Sequence, residues 1–204
     1  MSNQSNFNVL MLKYNFALSL IETQLNILIK EYEFKNKNNP VEHIKTRIKT
    51  EKSAIEKLHK KGYEVNLDNL KKYVHDMIGV RIVCSFISDV DVIVDLIKKS
   101  KQLKIIDEKN YIKNPKDTGY MSYHLIVEIP LYLDDKIEYI PAEIQIRTVA
   151  MDFFASLDHK ISYKFPGNIP NEVKMEMVSC SMAIQSLDKK MYELNKIVKK
   201  YNDL

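Results

Sequence analysis

The chain has 204 residues, 45% hydrophobic and 28% charged with a formal net charge of +4, enough to bury one ordinary core but cramped for two full domains. No stretch approaches the roughly 18 to 20 apolar residues of a membrane span, and the opening Met-Ser-Asn-Gln-Ser-Asn lacks the layout of a secretory signal, so a cytosolic protein without a membrane is expected. The modest positive charge suits an anionic ligand without demanding a nucleic acid, and the isolated Cys84 and Cys180 exclude a zinc site or disulfide scaffold and are expected reduced and buried.

Leu18, Ile21, Leu25, Leu28 and Tyr32 succeed Tyr14 in steps of four and three, predicting an amphipathic helix over 8–34, ended by the tract from Lys35 to Pro40. Thr50 is placed to cap a second helix running to Lys61 and stopped by Gly62. A short third helix fits Leu67 to Val74. Gly79 to Phe86 then reads as a strand, followed by a helix from about Asp89 to Ser100 with Asp89 or Ser88 at its cap, and by a strand from Leu103 to Asp107. Asn110 to Gly119 is poor in apolar residues and holds Pro115, Asp117 and Gly119, hence a loop. Strands are expected at Met121 to Ile129 and Tyr139 to Arg147, joined through Asp134-Asp135-Lys136, and a helix over Thr148 to Tyr163. Beyond Pro166-Gly167 and Pro170, a last helix over 170–203 carries Val173, Met177, Cys180, Ile184, Leu187, Met191, Leu194, Val198 and Tyr201 in heptad register. This is an α+β pattern: a mixed sheet flanked by helices, with long N- and C-terminal helices. The terminal apolar stripes either pack within the chain or mediate self-association.

Four segments could carry chemistry. In Ala-Glu-Ile-Gln-Ile-Arg-Thr, Glu143, Gln145 and Arg147 alternate with Ala142, Ile144 and Ile146, so a carboxylate, an amide and a guanidinium share one face of a strand. An ordinary half-exposed strand has the same pattern. Arg47 and Lys49 lie two apart in an extended segment, and Ser53 and Lys57 share a helix face near an N-terminus, an arrangement able to hold a polyphosphate or to be a solvated basic face. Asp76 precedes the strand bearing Arg81; it could hold Mg²⁺ with Glu143 as a second carboxylate, or pair with Arg81. Lys116 to His124 puts Tyr120, Ser122 and His124 on one face, where Tyr120 could stack on a base and His124 reach a phosphate, or both could simply pack.

Taken together and in order, Thr-Arg-Ile-Lys-Thr-Glu-Lys-Ser with Lys57 beyond it, Asp-Met-Ile-Gly-Val-Arg, Thr-Gly-Tyr-Met-Ser-Tyr-His and Ala-Glu-Ile-Gln-Ile-Arg-Thr resemble the synthetase domain of the RelA/SpoT homologues, most closely the single-domain small alarmone synthetases. The resemblance covers nearly the whole chain and implies one synthetase domain over 1–204: a helical segment 8–34, a catalytic core 41–165 on a nucleotidyltransferase-like mixed sheet, and the last helix. It implies transfer of pyrophosphate from ATP to the 3′-hydroxyl of GDP or GTP, giving AMP and ppGpp or pppGpp. Arg47 and Arg81 would sandwich adenine, while Lys49, Ser53 and Lys57 hold the triphosphate. Asp76 and Glu143 would bind Mg²⁺, with Glu143 also taking the hydroxyl proton. Tyr120 would stack guanine, and Lys116, His124, Gln145 and Arg147 would reach the acceptor. A homotetramer through the terminal helices is implied as well. Met121 stands where many relatives carry Arg or Gln, and His43, Lys45 and Asp152 replace residues that bind an allosteric alarmone, which speaks against activation by product. The alternative readings are a single-stranded RNA-binding regulatory protein, using the basic clusters and tyrosines, and an alarmone hydrolase, suggested by His75-Asp76.

Overall fold

A computed structural model describes residues 2–134, 136–165 and 167–202. The expected turn residues Asp135 and Pro166 and the end of the last helix at 203 lie outside the described residues. Helices α1 (Ser2–Asn36), α2 (Glu51–Lys60), α3 (Leu67–Tyr73), α4 (Ile87–Lys99), α5 (Val149–Lys164) and α6 (Asn171–Asn202) surround a sheet of β1 (Val41–Ile48), β2 (Ile78–Cys84), β3 (Lys104–Asn110), β4 (Tyr123–Leu133) and β5 (Lys136–Thr148). The strand order is β1-β2-β5-β4-β3, with β2 and β5 parallel and every other pair antiparallel. Among the described residues no helix is long and apolar enough to cross a membrane.

Side-chain alternation divides the sheet into a core face and a working face. Val80 and Ile82 of β2, Ala142, Ile144 and Ile146 of β5, and Leu125, Val127 and Ile129 of β4 are buried on one side. Against them pack α4 and the stripe Leu10, Tyr14, Ala17, Ile21, Leu25 and Ile29 of α1, one residue per turn. The other side carries the charged residues, with α5 and α6 packed beside it.

Local signals account for most element ends. Thr50 accepts from the Ser53 amide and starts α2, and Gly62 ends it at a φ of 74°. Thr148 accepts from the Met151 amide and starts α5. Three expectations need correction. Asp89 is not the cap of α4: Phe86 is, and the Asp89 carboxylate reaches back to the Phe86 amide from the first turn. Residues 41–48, expected only to be extended, form an edge strand held by β2. Cys84 is buried but Cys180 is exposed, because α6 turns a different stripe inward. That stripe runs through Met177, Ser181 and Asp188, leaving Leu187, Met191, Leu194, Val198 and Tyr201 of the apolar heptad exposed.

Candidate active site

Three strand-to-strand rows build the working face. Arg47 on β1 lies opposite Gly79 on β2, which lies opposite Glu143 on β5. Lys45, Arg81, Gln145 and His124 form the next row, and Val83 opposite Arg147 the third. Gly79 matters here because the Arg47 side chain crosses above it: a Cβ there would meet Arg47 Cγ at 3.5 Å and Nε at 3.6 Å. Gly79 itself places no side chain between Arg47 and Glu143. A cleft of about 280 Å³ results, lined by Arg47, Asp76, Gly79, Arg81, Glu143 and Gln145, with Lys45, Thr46 and Val80 around them. Asp76 and Glu143, 67 residues apart in the chain by numbering (143 − 76), open onto the same cleft.

On the β1 side, Lys49 Nζ donates to Asp76 Oδ2 at 2.9 Å and Lys57 Nζ lies 2.8 Å from Oδ1. The Lys57 contact is an ion pair outside hydrogen-bonding angles, so Oδ1 is buried without a hydrogen bond. Burial pushes the Asp76 carboxyl up, but the close ammonium groups of Lys57 and Lys49 outweigh it and hold the group below its ordinary value. Ser53 sits in the first turn of α2, its hydroxyl accepting from Thr50.

On the β4 side, Glu143 closes a ring. Arg147 Nη2 donates to the Tyr120 hydroxyl at 3.0 Å and to Gln145 Oε1. The Tyr120 hydroxyl meets His124 Nε2 at 2.9 Å, His124 Nδ1 meets Glu143 Oε1 at 3.2 Å, and Gln145 Nε2 donates to Glu143 Oε2 at 2.6 Å. Assigning the imidazole proton to Nδ1 satisfies the whole network. Every donor in both arms then points from Arg147 toward Glu143, a direction that only an ionised carboxylate can receive twice. Burial raises the Glu143 carboxyl and nearby Asp76 adds to that, yet His124 and Gln145 bring it below its usual value. Burial lowers the Arg147 guanidinium and raises the Tyr120 phenol.

The two carboxylates offer the oxygen donors that Mg²⁺ prefers, and in this structure the ammonium groups of Lys49 and Lys57 occupy the cation positions beside Asp76. Among the described residues no cluster of three or more His, Cys, Asp or Glu is present. His75 is not part of such a centre: its Nε2 lies 2.8 Å from the Lys72 carbonyl oxygen.

Of the two readings of Tyr120, a platform for a base or a packing residue, this structure shows the packed one. Tyr120 is only 8% exposed, packed with Phe154 and Met177, and the Lys116 ammonium lies 4.7 Å from its ring centroid. Lys116 also lies 4.9 Å from the ring of Tyr111, a residue that no sequence motif marked. From α6, Ser181 Oγ donates to the Gly119 carbonyl at 2.6 Å and Asp188 accepts from Thr148 at 2.7 Å, so this helix fixes both the loop before β4 and the end of β5. Neither Ser181 nor Asp188 stands out in the sequence, because each sits among heptad residues that seemed to define the buried face. Asp152, in the first turns of α5, lies against both Arg81 and Arg147.

Comparison with known proteins places this geometry. The family model described as "Region found in RelA / SpoT proteins" matches residues 46–168. GTP pyrophosphokinase YwaC of Bacillus subtilis is 44% identical over 188 residues, covering 92% of this chain and 90% of that protein. The crystal structure of small alarmone synthetase 2 from Bacillus subtilis superposes with a TM-score of 0.83 at 42% identity, covering 94% of this chain and 98% of that one. Small alarmone synthetase 1 from the same organism, bound to its product pppGpp, superposes with a TM-score of 0.86 at 31% identity, covering 96% and 99%.

Proposed function

The chain belongs to the RelA/SpoT family, and from that premise we propose that it is a GTP pyrophosphokinase that moves the β,γ-pyrophosphoryl group of ATP onto the 3′-hydroxyl of GDP or GTP. The observation that carries this reading is the shared cleft of Asp76 and Glu143, flanked by Arg47 and Arg81. The acceptor 3′-oxygen attacks the β-phosphorus, its bond to the α,β-bridging oxygen breaks, AMP leaves, and the hydroxyl proton passes to Glu143. Transfer of this kind asks the protein mainly to align two anions and neutralise developing charge.

Arg47 and Arg81 sandwich adenine between flat guanidiniums, a contact worth about 0.5 to 2 kcal/mol. Lys49 and Lys57 move from Asp76 to the triphosphate, helped by Ser53 at the N-terminus of α2. Asp76 and Glu143 hold Mg²⁺, which supplies neutralisation of phosphate charge when bound. Glu143 is kept ionised by His124 and Gln145, so it acts as a base through position. On the acceptor side, Lys116 lifts from Tyr120 so that guanine can stack there, while His124, Gln145 and Arg147 face the phosphates and ribose.

The exposed apolar residues of α6, together with Val9, Leu12, Phe16 and Leu20 of α1, support assembly into a homotetramer through the terminal helices. The enzyme works in the cytoplasm, where its nucleotides are. Incubation of the purified chain with ATP, GDP and Mg²⁺ should yield AMP and guanosine tetraphosphate in equal amounts. Formation of neither, with both nucleotides bound, would end this assignment.

A further inference from the structure

Two guanidiniums given to different nucleotides by the proposed function share a single oxygen atom. Asp152 Oδ1 lies 3.2 Å from Arg81 Nη1 and 3.3 Å from Arg147 Nη1. Only the Arg147 contact has hydrogen-bonding geometry; the Arg81 contact is an ion pair. The Asp152 side chain is 16% exposed and that of Arg147 only 2%, so water screens this pair weakly, whereas Arg81, 33% exposed, also meets solvent. The other Arg147 amino group is spent on Tyr120 and Gln145. Both Nε atoms, of Arg81 and of Arg147, are buried without any hydrogen-bond partner. Each guanidinium thus has a donor in reserve, while one carboxylate oxygen answers for the charge of both.

We propose that Asp152 is a positioning residue that couples the donor and acceptor nucleotide sites, its carboxylate moving from a shared position toward Arg81 when an acceptor phosphate engages Arg147. An anion on Arg147 satisfies that guanidinium and repels the carboxylate, which is then free to grip the edge of Arg81 and fix its plane for stacking on adenine. Acceptor binding therefore tightens donor binding, and by linkage the reverse holds by the same factor. The inference rests on the reading that two nucleotides bind in this cleft. A carboxylate that merely neutralised its two arginine neighbours would affect both affinities and stability, but not the dependence of one site on the other.

The test is calorimetric titration of an α,β-methylene ATP analogue, whose scissile link cannot break, into the native full-length protein with Mg²⁺, alone and at saturating GDP. GDP should lower the analogue Kd by roughly fivefold or more, the lower range of typical site couplings. In Asp152→Asn, which keeps the shape but not the charge, the two Kd values should agree within about twofold while the analogue still binds alone. Asp152→Ser serves the same comparison should the amide variant misfold. Native affinity indifferent to GDP overturns the proposal, as does coupling that persists in the variant. Failure of the native protein to bind either nucleotide overturns the two-nucleotide reading itself, and the coupling with it.

Discussion

Replacing Glu143 by Gln preserves volume and removes one charge, and the hydrogen-bonded ring around the side chain determines the cost. The carboxylate now receives two donors, His124 Nδ1 at 3.2 Å and Gln145 Nε2 at 2.6 Å. A carboxamide has one acceptor oxygen, so its NH₂ must face one of these donors. The shorter Gln145 contact keeps the oxygen, and His124 must shift its proton to Nε2 to accept from the new amide. That proton then opposes the Tyr120 hydroxyl, which must turn its own hydrogen away. One buried group left without a partner costs about 1 to 3 kcal/mol, so some loss of thermal stability is expected. The catalytic loss is larger, because a general base typically contributes about 10²- to 10⁴-fold. Turnover with ATP, GDP and Mg²⁺, monitored by AMP release, should fall by that factor, while the Kd of the ATP analogue measured without Mg²⁺ stays within about threefold because Arg47, Arg81, Lys49 and Lys57 are untouched. Activity within about tenfold of native would mean that Glu143 accepts no proton in the rate-limiting step, and the base assignment would be wrong.

Gly119→Ala should separate the acceptor loop from α6. The residue has a φ of +84°, and a Cβ would lie 2.5 Å from Ser181 Cβ and 2.9 Å from its Oγ. Left-handed backbone costs an alanine about 1 to 2 kcal/mol, and overlap with a packed helix about 1 to 3 more. At roughly 2 to 4 °C per kcal/mol for a chain of this size, thermal denaturation should show a clear drop in Tm, with the KM for GDP rising more than that for ATP; a native-like Tm contradicts the packing described for α6. Asp188→Asn should act in the opposite direction. Burial raises the Asp188 carboxyl above its ordinary 3.8, only partly offset by the Thr148 hydrogen bond. A raised acid stabilises the fold fully below its unfolded value and loses that contribution as pH rises through the folded one. The neutral amide, still able to accept from Thr148, should therefore melt higher than native at about pH 7.5, with the advantage fading as pH approaches about 4. A lower melting point at that neutral pH would show that the ionised carboxylate is needed there.

Signals that span a few residues were readable directly. Thr50 as a helix cap, Gly62 as a stop, and the two-residue alternation from Ala142 to Arg147 each depend on neighbours within one or two turns of chain. So do the four motifs, and their order along the chain marked the family before any contact was known. Features that depended on packing were less legible. The apolar heptad of α6 identified a helix but left open whether its stripe packs within the chain, and what turns another stripe inward is the pair of buried hydrogen bonds from Ser181 to Gly119 and from Thr148 to Asp188, which no local pattern encodes. The motif around Tyr120 allowed either a platform for a base or a packing residue, and only the packing of α5 and α6 against its ring separates the two.

By itself the sequence determined the type and order of most elements, the polarity of each strand face and the kinds of side chain available for binding phosphate. Those properties arise from backbone periodicity and side-chain chemistry, which act over short chain distances. Only tertiary structure decided which of those side chains meet. Strand register brought Arg47, Gly79 and Glu143 into one row, Lys49 after β1 and Lys57 on α2 converged on Asp76, and α5 delivered Asp152 to two arginines from different strands. Contacts between residues dozens of positions apart are fixed by how the sheet pairs and how helices pack on it, and a linear pattern carries neither.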